Sequence, residues 1–321
     1  MRHLRLVPNN TKIDFVGWRW LGFSVTALTM VITVFAIWFQ GFNLGIDFTG
    51  GVTVDAHRKQ GTIDVGAVRS HFAEVGLPDA IIQTFGDTVG GEPTNVSIRV
   101  QPTEETTGNE QAVVKKVTDA LGPDYEIRKA ETVGPKVSEE LFNNGVLACL
   151  LAIAMVAAYV ALRFEWQFGV AAFIATFHDV IVTAGFFAVT QLDFDLNAVA
   201  ALLTLAGYSV NDTVIIFDRI RENRRKYKRM PLGELINLST NQTLARTVMT
   251  SVCVALSVIP LVLFGGDALY GFSVAILFGV VLGTYSSIYV ASALLLLMPP
   301  IGSMEKVAPA AAAGEGRPAR P

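Results

Sequence analysis

Two ionisable residues of opposite charge lie inside long apolar stretches of this sequence. Asp212 belongs to LAGYSVNDTVIIFDRI, and Arg246 lies at the start of LARTVMTSVCVALSVIPLVLF. An ionisable side chain at membrane depth is costly unless it is paired or faces a water-filled cavity, so it is a functional-site hypothesis by default. Asp212 and Arg246 are therefore the first candidates for a functional pair, and the chemistry they could perform is proton coupling.

The depths of the two charges agree. Asp212 lies seven residues before Arg219, where its apolar stretch ends, and this places it about 10 Å inside that end at 1.5 Å per helical residue. The next stretch runs the opposite way from about Leu244, so Arg246 lies one or two turns inside. We expect the two charges to meet in the same half of the membrane.

Polar side chains continue the same faces of both helices. Helical spacing places them in two stripes, which are Thr204, Tyr208, Asn211 and Asp212 on the first helix and Arg246, Thr250, Cys253 and Ser257 on the second. Two polar faces on neighbouring antiparallel helices indicate a wet or hydrogen-bonded seam, in which Tyr208, Asn211 and Thr250 would support the charged pair.

Two interpretations of the pair are open. In the first, Asp212 and Arg246 only fix helix packing, but buried ion pairs often contribute no net stability. In the second they form a protonation switch. Burial and a nearby cation have opposite effects on the pKa of a carboxyl group, and the balance between the two changes with water access. A membrane potential supplies about 2.3 kcal/mol per charge per 100 mV, enough to bias such a switch. The second interpretation is favoured.

A second pair of titratable residues, His178 and Asp179, lies near the middle of another apolar stretch, in ATFHDVIVT. The pair could extend a proton relay, or it could be hydrogen-bonded packing that orients the following helix. We favour the supporting role. Further along the chain, Gly279 and Gly283 form a GxxxG pattern that permits close helix contact, and the neighbouring Thr284, Ser286 and Ser287 could hydrogen-bond across the bundle.

The apolar residues that surround these groups are gathered into blocks. Of the 321 residues, 51% are hydrophobic, and six stretches are long enough to cross a hydrocarbon core of about 30 Å. These run over residues 19–39, 144–162, 168–189, 196–217, 244–264 and 270–298. The sequence therefore predicts a polytopic α-helical membrane protein with six transmembrane helices.

The distribution of Lys and Arg predicts its orientation. The N-terminal segment and the loop RIRENRRKYKRMPLGE, in residues 219–243, are basic, whereas the segment between the first two spans carries more acids than bases. We expect a cytosolic N-terminus with transmembrane helix 1 over residues 1–40 and an external domain over 41–140. The rest of the bundle, with its basic cytosolic loop, follows over 141–301, and a disordered cytosolic tail over 302–321.

The external segment reads as one small α+β domain. Its strand candidates are GVTVDAH, AIIQTFG, NVSIRV and YEIRKAETV, and its helix candidates are TIDVGAVRSHFAEVG and TEETTGNEQAVVKKVTDALG. The resulting order β-α-β-β-α-β is the ferredoxin-like signature. Just before the first strand, GIDFTGG contains Asp47, Gly50 and Gly51. Consecutive glycines allow a tight turn, so this segment is either a hinge that couples the domain to the membrane or a simple linker.

Other kinds of chemistry have no motif here. There is no GxxxxGK[ST] for ATP and no HExxH or zinc spacing for a metal, so we expect no catalytic residues, no cofactor and no bound metal. Topology explains the basic loop, which makes membrane lipid a more reasonable contact than nucleic acid. The chain is expected not to be an enzyme.

Several blocks resemble the SecD/SecF family of bacterial protein-export membrane proteins, and the SecF members in particular. These blocks are GIDFTGG, VGPKVSEEL, RFEW, FHDVIVT, AGYSVNDTVIIFDRIRENRR, LARTVMTS and GTYSSIYVAS. They cover nearly the whole chain except its tail, and the block around Asp212 is long and distinctive.

The resemblance implies a fold and a function. The family belongs to the resistance-nodulation-division (RND) superfamily, whose working unit has twelve spans in two halves, so this chain would need SecD for the second half. SecDF is thought to use the proton-motive force to pull preproteins through the SecYEG channel on the outer side of the inner membrane, with YajC and YidC as further candidate partners. The proton-pathway residues of the family map onto Asp212 and Arg246.

Two alternatives stay open. The chain could be half of another RND-type proton-coupled transporter that moves lipid or a small molecule, although about 100 residues outside the membrane leave little room for a substrate pocket. It could also be a scaffold subunit that conducts no protons.

Overall fold

The computed structural model describes residues 7–8, 11–85, 94–101 and 109–299. In chain order its helices are α1 (Arg19–Phe39), α2 (Ile46–Thr49), α3 (Val65–Glu74), α4 (Glu110–Leu121), α5 (Pro135–Arg163), α6 (Trp166–Thr190), α7 (Leu196–Lys226), α8 (Leu232–Phe264), α9 (Asp267–Ser286), a π-helical turn (Ser287–Ala291) and α10 (Ser292–Leu294). The strands are β1 (Gly51–Arg58), β2 (Ile81–Phe85), β3 (Asn95–Val100) and β4 (Tyr125–Val133).

Within the described part of the chain, six helices are long and apolar enough to cross a membrane, which confirms the predicted number. They are α1, α5, α6, α7, α8 and the helix that α9 forms with its π-helical turn and α10. The helices α6, α7 and α9 are mostly buried inside the bundle, whereas α1, α5 and α8 lie at its periphery. Large apolar side chains such as Trp38, Leu162 and Phe264 are exposed on the peripheral helices, as expected for surfaces that contact lipid or another membrane subunit.

Helix ends carry the capping chemistry that their sequences suggest. Asp195 caps α7 by accepting a hydrogen bond from the backbone N–H of Ala198 at 2.9 Å, which satisfies one of the free donors of the first turn. The last turn of α7 contains Arg224, Arg225 and Lys226, whose positive charges are favourable at the negative end of a helix dipole. Pro135 occupies the first turn of α5, where its missing N–H costs nothing.

The basic loop predicted over residues 219–243 is mostly helical, so that boundary was wrong. The helix α7 continues to Lys226 and α8 begins at Leu232, which leaves only residues 227–231 between them. Both extensions keep an apolar side to bury, since Ile220 and Leu235 are fully buried. Both helices therefore continue through the highly charged sequence, because packing between the extensions stabilises them.

Two other span boundaries also differ from the prediction. The second span was predicted to begin at Asn144, but α5 begins at Pro135 and projects its polar first turns beyond the apolar part. The sixth span was predicted to reach Met298, whereas its helix ends at Leu294 and is followed by turns. Apolar length alone marks the part of a helix that lipid requires and not the residues at which the helix starts and stops.

Between α2 and α5 the chain forms a sheet domain, defined here as residues 51–133. Its four strands are arranged β2-β3-β1-β4, and all neighbours are antiparallel. In chain order its elements are β-α-β-β-α-β. Residues 86–93 between β2 and β3 lie outside the described residues, as do residues 102–108 before α4 and the tail from 300 onwards.

Alternation in the strands separates two faces of this sheet. Val52, Val54 and Ala56 are buried in one apolar cluster with Phe72 of α3 and Val117 of α4. This is the period-two pattern of a strand that buries one face. The opposite face carries polar side chains, and it is this face that approaches the membrane bundle.

Candidate functional site

The helix α7 brings Asp212 into the centre of the bundle. The residue is completely buried, and its Oδ1 accepts a hydrogen bond of 3.3 Å from Thr250 Oγ1 on α8. Its Oδ2 has no hydrogen-bond partner among the described residues. A buried carboxyl oxygen without a donor costs free energy, so this oxygen does not stabilise the fold.

Arg246 lies one turn before Thr250 on α8, with its side chain exposed. It acts electrostatically on Asp212, but in the described part of the structure no ion pair within 4 Å joins the two residues. Arg246 instead lines a pocket of about 300 Å³ with six other residues. They are Tyr159, Arg163, Phe164, Val214, Ile215 and Asp218. The two charges are near each other without direct contact.

A second chain of hydrogen bonds runs across three helices beside Asp212. The Tyr208 hydroxyl on α7 donates to Ser251 Oγ on α8 at 2.8 Å. Ser251 Oγ is also 2.6 Å from Thr284 Oγ1 on α9. The seam predicted from the polar stripes thus contains Tyr208 and Thr250, whereas Asn211 lies on the exposed side of α7.

The second titratable pair forms a separate buried cluster. Asp179 Oδ1 is 2.9 Å from His178 Nδ1 on the same helix. Its Oδ2 accepts two hydrogen bonds of 2.5 Å, from Ser209 Oγ on α7 and Ser286 Oγ on α9. His178 and Asp179 are both buried. The carboxyl group of Asp179 therefore joins the three central helices at one point.

Small residues allow α7 and α9 to approach closely at this level. A methyl group on Gly279 would lie 2.8 Å from Leu205 Cγ, and one on Gly283 would lie 3.3 Å from Ser209 Cβ. Next to this contact, Ser287 Oγ is 2.9 Å from Thr213 Oγ1. The expectation of close contact at the GxxxG pattern is confirmed, and so is cross-bundle hydrogen bonding by the polar residues that follow it.

Ser209 and Ser251 were absent from the predicted set of site residues. Ser209 precedes Asp212 by three residues, and this spacing places two side chains on the same side of a helix. That spacing was the available signal for Ser209. Ser251 offers no comparable signal, because serines are frequent in membrane helices and only the neighbouring Tyr208 and Thr284 give it a role.

The predicted hinge residues lie where the sheet domain meets the bundle. Asp47 is in α2, and its Oδ2 accepts a hydrogen bond of 3.0 Å from the backbone N–H of Leu196, the first residue of α7. Gly50 and Gly51 have φ angles of 72° and 111°, a region that strains residues with a side chain. The segment is therefore a tight turn that is tied to the start of the helix carrying Asp212.

Comparisons with known proteins fit this architecture. Residues 113–299 match the model of the C-terminal domain of the SecD/SecF protein export membrane proteins. Residues 35–61, which include Gly50 and Gly51, match the SecD/SecF GG motif. The chain belongs to the SecD/SecF family.

Relatives within this family are similar over almost their full length. The protein translocase subunit SecF of Rhodobacter capsulatus is 44% identical over 318 residues, which cover 95% of this chain and 95% of the relative. The SecF subunit of Pseudomonas aeruginosa is 41% identical over 284 residues, covering 88% of this chain and 90% of the relative.

Two solved SecDF structures share the fold. The crystal structure of SecDF from Thermus thermophilus, described as a translocon-associated membrane protein, superposes with a TM-score of 0.80 at 36% identity over 91% of this chain. A super-membrane-facing form of SecDF superposes with a TM-score of 0.64, also at 36% identity, over 90% of this chain. In both comparisons this chain spans 39% of the length of the SecDF chain.

Proposed function

We propose that this chain is the SecF-type half of a SecDF complex, which uses the proton-motive force to promote preprotein translocation and release on the periplasmic side of the SecYEG channel. The family membership supports a role in protein export. The observation that carries the proton-coupling part is the position of Asp212. It is completely buried in a membrane helix, and one of its carboxyl oxygens has no partner in the part of the chain that the structure describes.

The surroundings of Asp212 suit a group that gains and loses a proton. Thr250 donates to one oxygen, and the other is free to carry a proton without breaking a hydrogen bond. Arg246 favours the charged state of the carboxyl group through its electrostatic interaction. Protonation of Asp212 removes that attraction, so the preferred arrangement of α7 against α8 differs between the two states.

Orientation in the membrane is the second part of the proposal. Residues 11–18 and the 227–231 turn lie at one end of the bundle, since Ile13 N–H donates to Asn241 Oδ1 of α8 at 2.9 Å. The sheet domain lies at the other end, beside the start of α7. The positive-inside rule places the first end in the cytosol. The sheet domain is then a ferredoxin-like periplasmic domain of an inner-membrane protein, with both chain termini cytosolic.

The partner that completes the assembly is SecD. The part of this chain that superposes spans only 39% of the solved SecDF chains, and we assign the rest of that assembly to SecD. The peripheral helix α8 has exposed apolar side chains such as Met249 and Leu256 together with the exposed Arg246. The SecYEG channel and translocating preproteins complete the proposed partners, with YajC and YidC as further candidates.

Substitution of the two charges tests this proposal. The variants Asp212→Asn and Arg246→Met are expected to insert in the membrane and to bind SecD like the original chain. Both are expected to lose the stimulation of preprotein translocation by a proton gradient in proteoliposomes that contain SecD and SecYEG. Cells that have only the variant chain are expected to accumulate preproteins that are late in translocation.

Matched controls come from exposed charged residues of α7. Glu222→Gln removes an exposed acid of α7 that pairs with Arg219 at 2.5 Å, and Arg225→Met removes an exposed base of α7. Both controls should retain gradient-stimulated translocation. If Asp212→Asn and Arg246→Met also retain it, the chain acts as a scaffold. If neither preprotein translocation nor its release depends on the chain while lipid or small-molecule transport does, another RND-type transport function replaces this one.

A further inference from the structure

One buried arginine connects the sheet domain to the membrane bundle. Arg99 belongs to β3, where Val96, Ile98 and Val100 point into the apolar core of the sheet domain. Alternation along the strand puts Arg99 on the opposite face, away from α3 and α4, which pack on the apolar face. Its side chain is nevertheless only 6% exposed, so the residues that cover it belong to the bundle.

Those covering residues come from two separate segments of the chain. Arg99 Nη2 forms an ion pair of 2.9 Å with Asp193 Oδ2, just before α7. Arg99 Nη1 donates to the backbone oxygen of Leu44 at 3.0 Å and to Asn43 Oδ1 at 3.2 Å, in the segment that follows α1. A guanidinium group can satisfy several acceptors at once because its donors form a rigid, planar fork.

The two segments are also bonded to each other. Asn43 Nδ2 donates to Asp193 Oδ1 at 2.7 Å. The backbone N–H of Phe194 donates to the oxygen of Asn43 at 2.8 Å, and the N–H of Gly45 donates to the oxygen of Phe194 at 2.9 Å. Arg99, Asn43 and Asp193 therefore form a closed set of contacts, named here the Arg99 clamp, between the end of α1, the sheet domain and the start of α7.

Asp193 of the clamp lies three residues before Leu196, where the helix that carries Asp212 begins. Asp193 precedes Asp195, which caps α7, and the first backbone N–H of α7 is held by Asp47 at 3.0 Å. A shift or rotation of α7 thus reaches the clamp without an intervening flexible segment. The turn at Gly50 and Gly51 then connects the same region to β1.

We propose that Arg99 is a positioning residue that holds the sheet domain on the outer end of α7, so that movement of α7 is passed to the sheet domain. The movement itself rests on the proposed function, in which Asp212 changes its protonation state. The clamp is a separate claim about how the two parts of the chain are joined. It adds Arg99, Asn43 and Asp193 to the residues on which coupling depends.

The test compares variants of the clamp with a matched ion pair inside the sheet domain. Arg99→Gln removes the positive charge of the clamp, and Asp193→Asn removes the negative charge. Asp193 is half-exposed and lies outside the sheet, so its substitution leaves the fold of the sheet domain intact. The control is Lys129→Gln, which breaks the 2.9 Å pair between Lys129 and Glu131 on β4. In the described residues neither side chain of this pair forms an ion pair or hydrogen bond with the bundle, and Lys129 acts on Asp195 only through longer-range electrostatics.

The position of the sheet domain is measured by the distance between two spin labels in the full chain with SecD in lipid. The labels are attached at Glu74→Cys on α3 and Val189→Cys on α6, which are both exposed, after replacement of Cys149 and Cys253 by alanine. Gradient-stimulated preprotein translocation is measured for the same variants in proteoliposomes that contain SecD and SecYEG.

The clamp variants are expected to broaden the distance distribution and to reduce gradient-stimulated translocation several-fold, and Lys129→Gln is expected to change neither. An unchanged distribution in both Arg99→Gln and Asp193→Asn overturns the clamp. A broadened distribution with full translocation overturns its role in coupling. If the original chain shows no gradient stimulation, the proposed function fails, and the distance distributions still decide whether Arg99 holds the sheet domain.

Discussion

Removal of the carboxyl group of Asp179 should weaken the membrane bundle by a predictable amount. Its Oδ2 accepts hydrogen bonds from Ser209 on α7 and Ser286 on α9, each 2.5 Å long, whereas its contact with His178 lies within α6. Only the two serine bonds join different helices. The change Asp179→Ala therefore removes two interhelical hydrogen bonds.

The expected loss of stability depends on whether hydrogen-bond energies from soluble proteins or from membrane proteins apply. Hydrogen bonds to charged groups contribute about 1.5–3 kcal/mol in soluble proteins, but interhelical hydrogen bonds in a membrane protein average about 0.6 and reach about 1.7 kcal/mol. The lower range applies here, because helices that separate in lipid find other partners for their polar groups. We expect Asp179→Ala to lower the free energy of unfolding by about 1–3 kcal/mol, and Ser209→Ala by about 0.6–1.7 kcal/mol.

A double-mutant cycle isolates the bond itself. Unfolding of the purified chain is followed in mixed micelles of increasing denaturing detergent for Asp179→Ala, Ser209→Ala and the double variant. The coupling energy should equal the cost of Ser209→Ala, because the serine has lost its acceptor once Asp179 is removed. Thr183→Val is the control, since Thr183 is buried one turn after Asp179 and its hydroxyl has no partner among the described residues.

Two results would refute this reasoning. If Ser209→Ala costs as much in the Asp179→Ala background as in the original chain, the 2.5 Å contact contributes nothing to stability. If Thr183→Val is as destabilising as Ser209→Ala, the loss reflects general packing and not the hydrogen bond. The variant Asp179→Asn retains an oxygen with two lone pairs for both serines. It should therefore preserve most gradient-stimulated translocation if Asp179 supports packing, and abolish it if Asp179 relays protons.

Two further predictions concern packing and pH. Gly279→Ala should cost about 1–3 kcal/mol of stability because the new methyl group would overlap the buried Leu205. Gly207→Ala should be neutral or stabilise by up to about 1 kcal/mol, since no atom lies within 4 Å of its added methyl; equal thermal shifts for the two variants in detergent would contradict this explanation. Burial raises the pKa of Asp55 in the sheet domain, against the opposing hydrogen bond from Ser97. Its charged form therefore destabilises the folded state at neutral pH, and this penalty is relieved as the pH falls through the raised pKa towards the ordinary value of 3.8. Asp55→Asn should remove that pH-dependent gain, as seen in hydrogen exchange of the sheet domain in the full chain; an identical pH profile in the variant would show that Asp55 is not the group responsible.

Much of the fold could be predicted because each part has a strong local signal. Lipid requires about 20 apolar residues per helical span, so the six spans stand out from composition. The alternation of Val52, Val54 and Ala56 marks a strand with one buried face. Depth in the membrane likewise identifies Asp212, since an ionisable side chain at that depth is costly unless it is paired or faces water.

Helix ends and long-range contacts carried no such signal. The charged sequence after the fourth span predicts a loop, but α7 continues to Lys226 and α8 already begins at Leu232. The two extensions are helical because they pack on each other. Arg246 was expected to meet Asp212, but the rotation of α8 leaves its side chain exposed. Among the described residues it is Thr250 that hydrogen-bonds to the carboxyl group.

The sequence by itself determined the number of membrane helices, the chain order of the sheet domain and the acid that lies at membrane depth, because these follow from local periodicity and from the cost of burying charge. Only the tertiary structure decided which groups surround that acid and how the sheet domain is attached. Arg99 and Asp193 are 94 residues apart in the chain, yet their ion pair is 2.9 Å long. No local pattern specifies such a contact, because it depends on how the helices and the sheet are placed relative to one another.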